Sequence, residues 1–115
     1  MSLQSLAHDE RQIISALLDD ALSASLVVSV YDGEEWALAC SDSRPRLADV
    51  IGSTDCTTLR FRDPATLDDS GKPSSVGSVF LVHGNGCHVV ADHSDNAATE
   101  NLLRRAMIVA ERFGA

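Results

Sequence analysis

Apolar residues along this chain switch between two periods, and the switches outline its elements. Leu6, Ile13, Ile14, Leu17, Leu18 and Ala21 recur at helical spacing, which predicts a first helix capped by Ser5 or Asp9 and ended near Ser23 to Ser25. The pattern then becomes Leu26-Val27-Val28-Ser29-Val30-Tyr31, a β-branched run suited to a strand. Asp32-Gly33 reads as a tight hairpin turn. That register sets Tyr31 opposite Glu34, Ser29 opposite Trp36 and Val27 opposite Leu38 on one face, with Val28 opposite Ala37 and Leu26 opposite Ala39 on the other. Arg44-Pro45 breaks the second strand, and Arg46 to Ile51 reads as a short helical turn closed by Gly52. Thr57 to Arg62 alternates, Leu59 and Phe61 inward and Arg60 and Arg62 outward, as in a half-exposed or edge strand. Asp63 to Ser75 carries Pro64, Gly71 and Pro73 without a period, which predicts a mobile loop.

The stretch from Val76 to Asn96 predicts a second hairpin and the start of a helix. Asn85-Gly86 is the dipeptide that suits a type I′ turn, so Gly84 should pair with Cys87, His83 with His88, Val82 with Val89, Leu81 with Val90 and Phe80 with Ala91. Both faces of such a ribbon are largely apolar, which places it inside a sheet covered on both sides. Ser94, Asp95 or Asn96 then caps a last helix with Leu102, Ala106, Val109 and Phe113 on one stripe.

The resulting order is helix, two strands, short helix, three strands, helix, an α+β domain spanning residues 1–115 with a roughly five-stranded antiparallel sheet. Small alanines leave room for close-lying helices, so the terminal helices are assigned to the Ala37 and Ala39 side. Val27, Tyr31, Trp36 and Leu38 are then the candidate interface residues of the opposite side. This element order resembles the roadblock or profilin-like plan, which implies an interaction scaffold. The segments Thr54-Asp55, Thr58-Leu59-Arg60-Phe61-Arg62-Asp63, Gly77 to Gly86 and Val89-Val90-Ala91-Asp92-His93-Ser94 are similar to a family of small bacterial and phage-associated proteins without an assigned activity. That resemblance covers roughly the second half of the chain and implies no role for any residue.

Composition narrows the function classes. With 115 residues, the chain is long enough to bury a core without staples, and 44% hydrophobic with 23% charged residues is the balance of a folded protein. A net charge of −8 works against nucleic acid and anionic membranes as partners. No apolar run approaches the length of a membrane span, and the N-terminus lacks the order of a secretory signal, so a cytoplasmic location is the expectation. Cys40, Cys56 and Cys87 are an odd number at irregular spacing, which fits reduced thiols.

Candidate chemistry centres on His83 and His88. Directly opposed on a hairpin they would lie close on one face as candidate metal ligands, but alternation turns Cys87 and His93 the other way and leaves two ligands where zinc wants four. Cys56 lies at a loop-to-strand junction without an evident base nearby, and free cysteine is usually a small buried residue. Gly71-Lys72-Pro73-Ser74 lacks the glycine spacing of a phosphate loop, and Asp32, Glu34, Glu35 and Asp68-Asp69 lack that of a calcium loop. Arg60 with Arg62, and Arg104-Arg105, are basic pairs too small to make a nucleic-acid surface. The sequence therefore predicts a non-enzymatic association domain without metal or cofactor, acting first as a homodimer and then with a further protein partner. The alternative is a small-molecule or metal binder, or a minor enzyme, built on His83, His88 and Cys56.

Overall fold

Ile13, Ile14, Leu17, Leu18 and Ala21 are fully buried along one side of helix α1 (His8–Ser23), the stripe that the helical spacing predicts. The computed structural model describes residues 2–115. A 3-10 turn at Leu3–Ser5 precedes the helix, and Ala7 occupies its N-cap in place of Ser5 or Asp9. Helix α2 (Arg44–Val50) starts at Ser43, whose hydroxyl accepts from the Arg46 N–H at 3.4 Å. Pro45 falls in its first turn, where a missing N–H costs nothing. Helix α3 (Ala97–Arg112) starts at Asn96, whose side chain accepts from the Thr99 N–H at 2.8 Å. Such a cap typically contributes about 1 kcal/mol.

Strands β1 (Val27–Tyr31), β2 (Trp36–Ser41), β3 (Cys56–Leu67), β4 (Pro73–Val82) and β5 (Val90–His93) form one antiparallel sheet in the order β2-β1-β3-β4-β5. The fold is thus the expected α+β arrangement. Val28, Val30, Leu59, Phe61, Val79 and Leu81 point to the same side and join a single core with Leu47 and Ile51, the α1 stripe, and Leu102, Leu103, Ala106 and Ala110 of α3. All three helices therefore pack on one face of the sheet. Helix α3 comes so close to β4 that a Cβ on Gly77, which pairs with Phe61, would strike the Thr99 hydroxyl. Arg105 fastens α3 to α1 by bonds to the Asp20 carboxylate at 3.0–3.1 Å and to the Ala16 carbonyl at 3.2 Å.

The strand connections depart from the sequence expectations, each for a local reason. Between β1 and β2 the turn runs over Asp32–Glu35, with Asp32 Oδ1 accepting from the Glu34 and Glu35 N–H groups at 2.9 Å. Tyr31 consequently pairs with Trp36, and irregularities on either side of Val30 pair it with Leu38 and pair Val28 with Ser41. Each bulge adds a residue to β2 and exchanges its faces. Leu38 therefore packs against the core and does not share the face of Trp36, while Ala37 and Ala39, assigned to the helices, are exposed.

The expected loop at Asp63 to Ser75 is instead a long hairpin, because β3 continues to Leu67 and β4 begins at Pro73. Asp68 Oδ1 accepts from the Ser70 N–H at 2.9 Å, the Ser70 hydroxyl at 2.7 Å and the Lys72 N–H at 3.0 Å, and Gly71 supplies a φ of +80°. A carboxylate that organises its own turn leaves no need for periodic apolar residues.

The type I′ hairpin does not form either. Gly84 and Gly86 take positive φ while Asn85 stays at −90°, and Gly86–His88 is a 3-10 turn. Helix α1 claims this segment: the Gly84 N–H donates to Glu10 Oε1 at 3.0 Å, and a Cβ on Gly86 would lie 2.9 Å from Asp9 Oδ2. His83 donates its N–H to the Asp55 carbonyl and does not pair with His88. Leu81 does oppose Val90, but a further irregularity then sets Phe80 against Asp92 in place of Ala91.

Candidate functional site

The face that the helices leave uncovered is ordered in rows. One row crosses every strand: Trp36 opposes Tyr31, Tyr31 opposes Thr58, Thr58 opposes Phe80, and Phe80 opposes Asp92. Trp36 is 45% exposed and Phe80 37%, whereas Tyr31 is half-buried. The Tyr31 and Trp36 rings meet edge to face at 5.2 Å, the arrangement that ring quadrupoles favour. The next row sets Arg60 between Ser29 and Ser78, and beyond it Arg62 stands between the half-buried Val27 and Ser75. This face is thus aromatic along one row and cationic along the following two, where the sequence suggested an apolar patch beside a strand with outward arginines.

The cationic rows border an open groove of about 390 Å³ lined by Trp36, Cys40, Arg60, Arg62, Lys72 and Pro73, with Ser29 and Ala39 completing the wall. The Arg60 guanidinium lies 4.7 Å from the centre of the Trp36 ring, a cation–π contact. Arg62 donates to the Pro73 carbonyl at 2.9 Å, tying the strand to the base of the hairpin tip. Cys40 takes a φ of +45° in the irregular part of β2, and its N–H donates to the Ser29 hydroxyl at 2.9 Å. Among the described residues, none of Arg60, Arg62 and Lys72 forms an ion pair; the carboxylates engaged in such pairs are Asp19, Asp20 and Glu10.

A second cluster lies inside the protein, where α1 meets the end of β4. Glu10 is 2% exposed and its carboxylate sits 3.8 Å from His83 Nδ1, while His83 Nε2 lies 2.7 Å from the Thr57 hydroxyl. Acid, imidazole and hydroxyl in that order are the parts of a nucleophile relay. Two observations tell against that use. Thr57 is 1% exposed and lines none of the grooves described, and 3.8 Å is too long for the acid to hydrogen-bond the ring. Burial lowers the His83 pKa from its ordinary 6.5, and the nearby Glu10 carboxylate opposes that shift. Burial thus favours the neutral form of this imidazole, which bridges Thr57 of β3 and the Glu10 side of α1.

The remaining candidates are dispersed. His88 is exposed on its 3-10 turn, apart from the buried His83 side chain, so the two do not form the opposed pair that ligation requires. Among the described residues no group of His, Cys, Asp and Glu is arranged to hold a metal ion. Cys56 lies beneath the Asp32–Glu35 turn, its sulfur 3.5 Å from where a Gly33 Cβ would stand, and Cys87 packs against the core. All three thiols are free. Of the interface candidates, Val27, Tyr31 and Trp36 share the uncovered face and Leu38 does not.

Sequence reasoning missed the convergence of Arg60, Arg62 and Lys72, because it treated the arginines as edge protection and put the only lysine in a loop. The available signal was the spacing of two between the arginines, which fixes them to one face. It also missed Glu10, which falls on the apolar stripe three and four residues before Ile13 and Ile14. No helix among the described residues is long and apolar enough to cross a membrane. In comparisons with protein-family models, with curated proteins and with solved structures, nothing matches this chain.

Proposed function

We propose that this protein is a non-enzymatic association domain whose uncovered sheet face pairs with a second copy of the chain. The observation that carries the reading is the row Trp36, Tyr31, Thr58, Phe80, Asp92, which is complementary to itself. A two-fold axis parallel to the strands lays β2 of one copy over β5 of the other. Tyr31 then meets Phe80 of the second copy, Thr58 meets its counterpart near the axis, and Trp36 with Arg60 stacked upon it meets Asp92. Aromatic groups fall on aromatic groups and a cation on a carboxylate, the combination that stable interfaces use.

Sedimentation equilibrium tests this reading. The chain should reach twice its monomer mass at about 10 to 100 μM. Trp36→Ala should weaken association by about 2 kcal/mol or more, since large aromatics dominate such contacts. Phe80→Glu, which buries an unpaired charge in the same row, should leave a folded monomer. A monomeric wild-type chain, or a Phe80→Glu variant that still dimerises, would refute it.

A further inference from the structure

Eight of the nine basic residues of this acidic chain are arginines, yet three cations of its total, Arg60, Arg62 and Lys72, gather at one groove. Among the described residues none of them is ion-paired. Asp68 is an acidic neighbour, whose pKa Arg62 helps to lower, but its Oδ1 is already engaged by Ser70 and by the Lys72 N–H. We propose that this groove binds a small organic phosphate, its phosphoryl oxygens held by Arg60, Arg62 and Lys72 and its apolar body lying against Trp36, Ala39 and Pro73.

The geometry supplies each part of that recognition. Alternate residues of a strand stand roughly 6 to 7 Å apart, so two guanidinium forks on β3 can grip one tetrahedral anion from two sides. Both arginines are held before any ligand arrives, Arg60 by the Trp36 ring and Arg62 by the Pro73 carbonyl, which reduces the ordering cost of binding. Lys72 enters from the hairpin tip as a point charge, a common complement to arginine at phosphates. A volume of about 390 Å³ suits a small molecule, and the net charge of −8 opposes a long polyanion such as nucleic acid. The groove is lined within one chain, and it shares Trp36 and Arg60 with the dimer contact proposed above, so a bound phosphate and the second copy compete for them.

Trp36 is the only tryptophan in the chain and forms part of the groove wall, so its emission reports occupancy directly. The probe is phenyl phosphate, titrated at ionic strength held constant with sodium chloride, with phenylacetate as the carboxylate of similar shape. The expected result is a saturable change in Trp36 emission together with a rise in Tm. Binding should weaken at least about tenfold in the double variant Arg62→Gln/Lys72→Gln, and phenylacetate should bind at least about tenfold less tightly. Phe80→Glu, the monomeric variant, should bind phenyl phosphate at least as tightly as the parent does, since the second copy no longer competes for Arg60 and Trp36. The proposal is overturned if neither emission nor Tm responds, if the double variant or phenylacetate gives the same affinity, or if Phe80→Glu abolishes the response and so places the ligand in the dimer contact.

Discussion

Phe61 and Phe80 lie on neighbouring strands of one sheet and face opposite ways. Phe61 is wholly buried among aliphatic side chains under three helices, whereas Phe80 is 37% exposed in a row that ends on a carboxylate. On β1, β3 and β4 the covered face is mostly Val, Leu and Phe at alternate positions, the composition of close packing. The uncovered face is made of aromatic rings, arginines and hydroxyl groups, all capable of directed contact as well as burial. One strand can therefore serve stability on one side and recognition on the other, and the same residue type has a different consequence on each.

Substitution of these two phenylalanines gives the largest contrast. Phe61→Ala should cost about 3 to 5 kcal/mol in urea unfolding, since it removes a large side chain and leaves a cavity. Phe80→Ala, measured on dilute monomer, should stay within about 0.5 kcal/mol. Equal losses would mean that the two faces are not different in kind. Gly77→Ala comes next, with about 1 to 3 kcal/mol lost, because α3 must move away from β4 to relieve the clash with Thr99. Serine at position 77 should be no better, which separates a steric cause from a polar one.

Glu10→Ala should cost about 1 kcal/mol by removing the acceptor of the Gly84 N–H. Glu10→Gln, which retains a carbonyl oxygen, should recover part of that loss. The same cluster makes an acid-side prediction. Burial lowers the His83 pKa below 6.5 in the folded protein, so between those two values the unfolded chain binds the proton more readily. Stability is then fully present above about pH 6.5 and declines as the pH falls through and below it. In thermal melts from pH 7.5 to pH 5, His83→Gln should flatten this dependence.

The smallest effect is expected at the hairpin tip. Asp68→Ala removes the acceptor of the Ser70 and Lys72 N–H groups and should raise amide exchange there with little change in Tm. A marked fall in Tm would instead make the tip part of the cooperative core.

The two faces were also unequally legible in the sequence. Periodicity located both long helices and the inward residues Val28, Leu59 and Phe61, because burial imposes a repeat on its own strand, while Val79 and Leu81 lay in a ribbon that read as apolar on both faces. Register was lost wherever a contact from elsewhere in the chain, or a bulge, intervened. Asn85-Gly86 has the composition of a type I′ turn, but Glu10, distant in sequence, takes the Gly84 N–H and draws the segment into a 3-10 turn. Leu38 has the same parity as Trp36 on paper, and one extra residue in β2 sends it to the core. The cationic groove was invisible for a related reason: Lys72 meets Arg60 and Arg62 only because Asp68 folds the tip into a tight hairpin. Local patterns record what a strand does alone, and the uncovered face is assembled between strands.

The central claim is that the aromatic row pairs with itself about an axis along the strands, and a charge-reversal cycle in sedimentation equilibrium tests it most directly. Arg60→Asp and Asp92→Arg should each weaken self-association by roughly tenfold, because each sets like charges together where β2 of one copy meets β5 of the other. The double variant should regain most of the parent affinity. Additive losses in the double variant, or a dimer indifferent to all three changes, would contradict the arrangement.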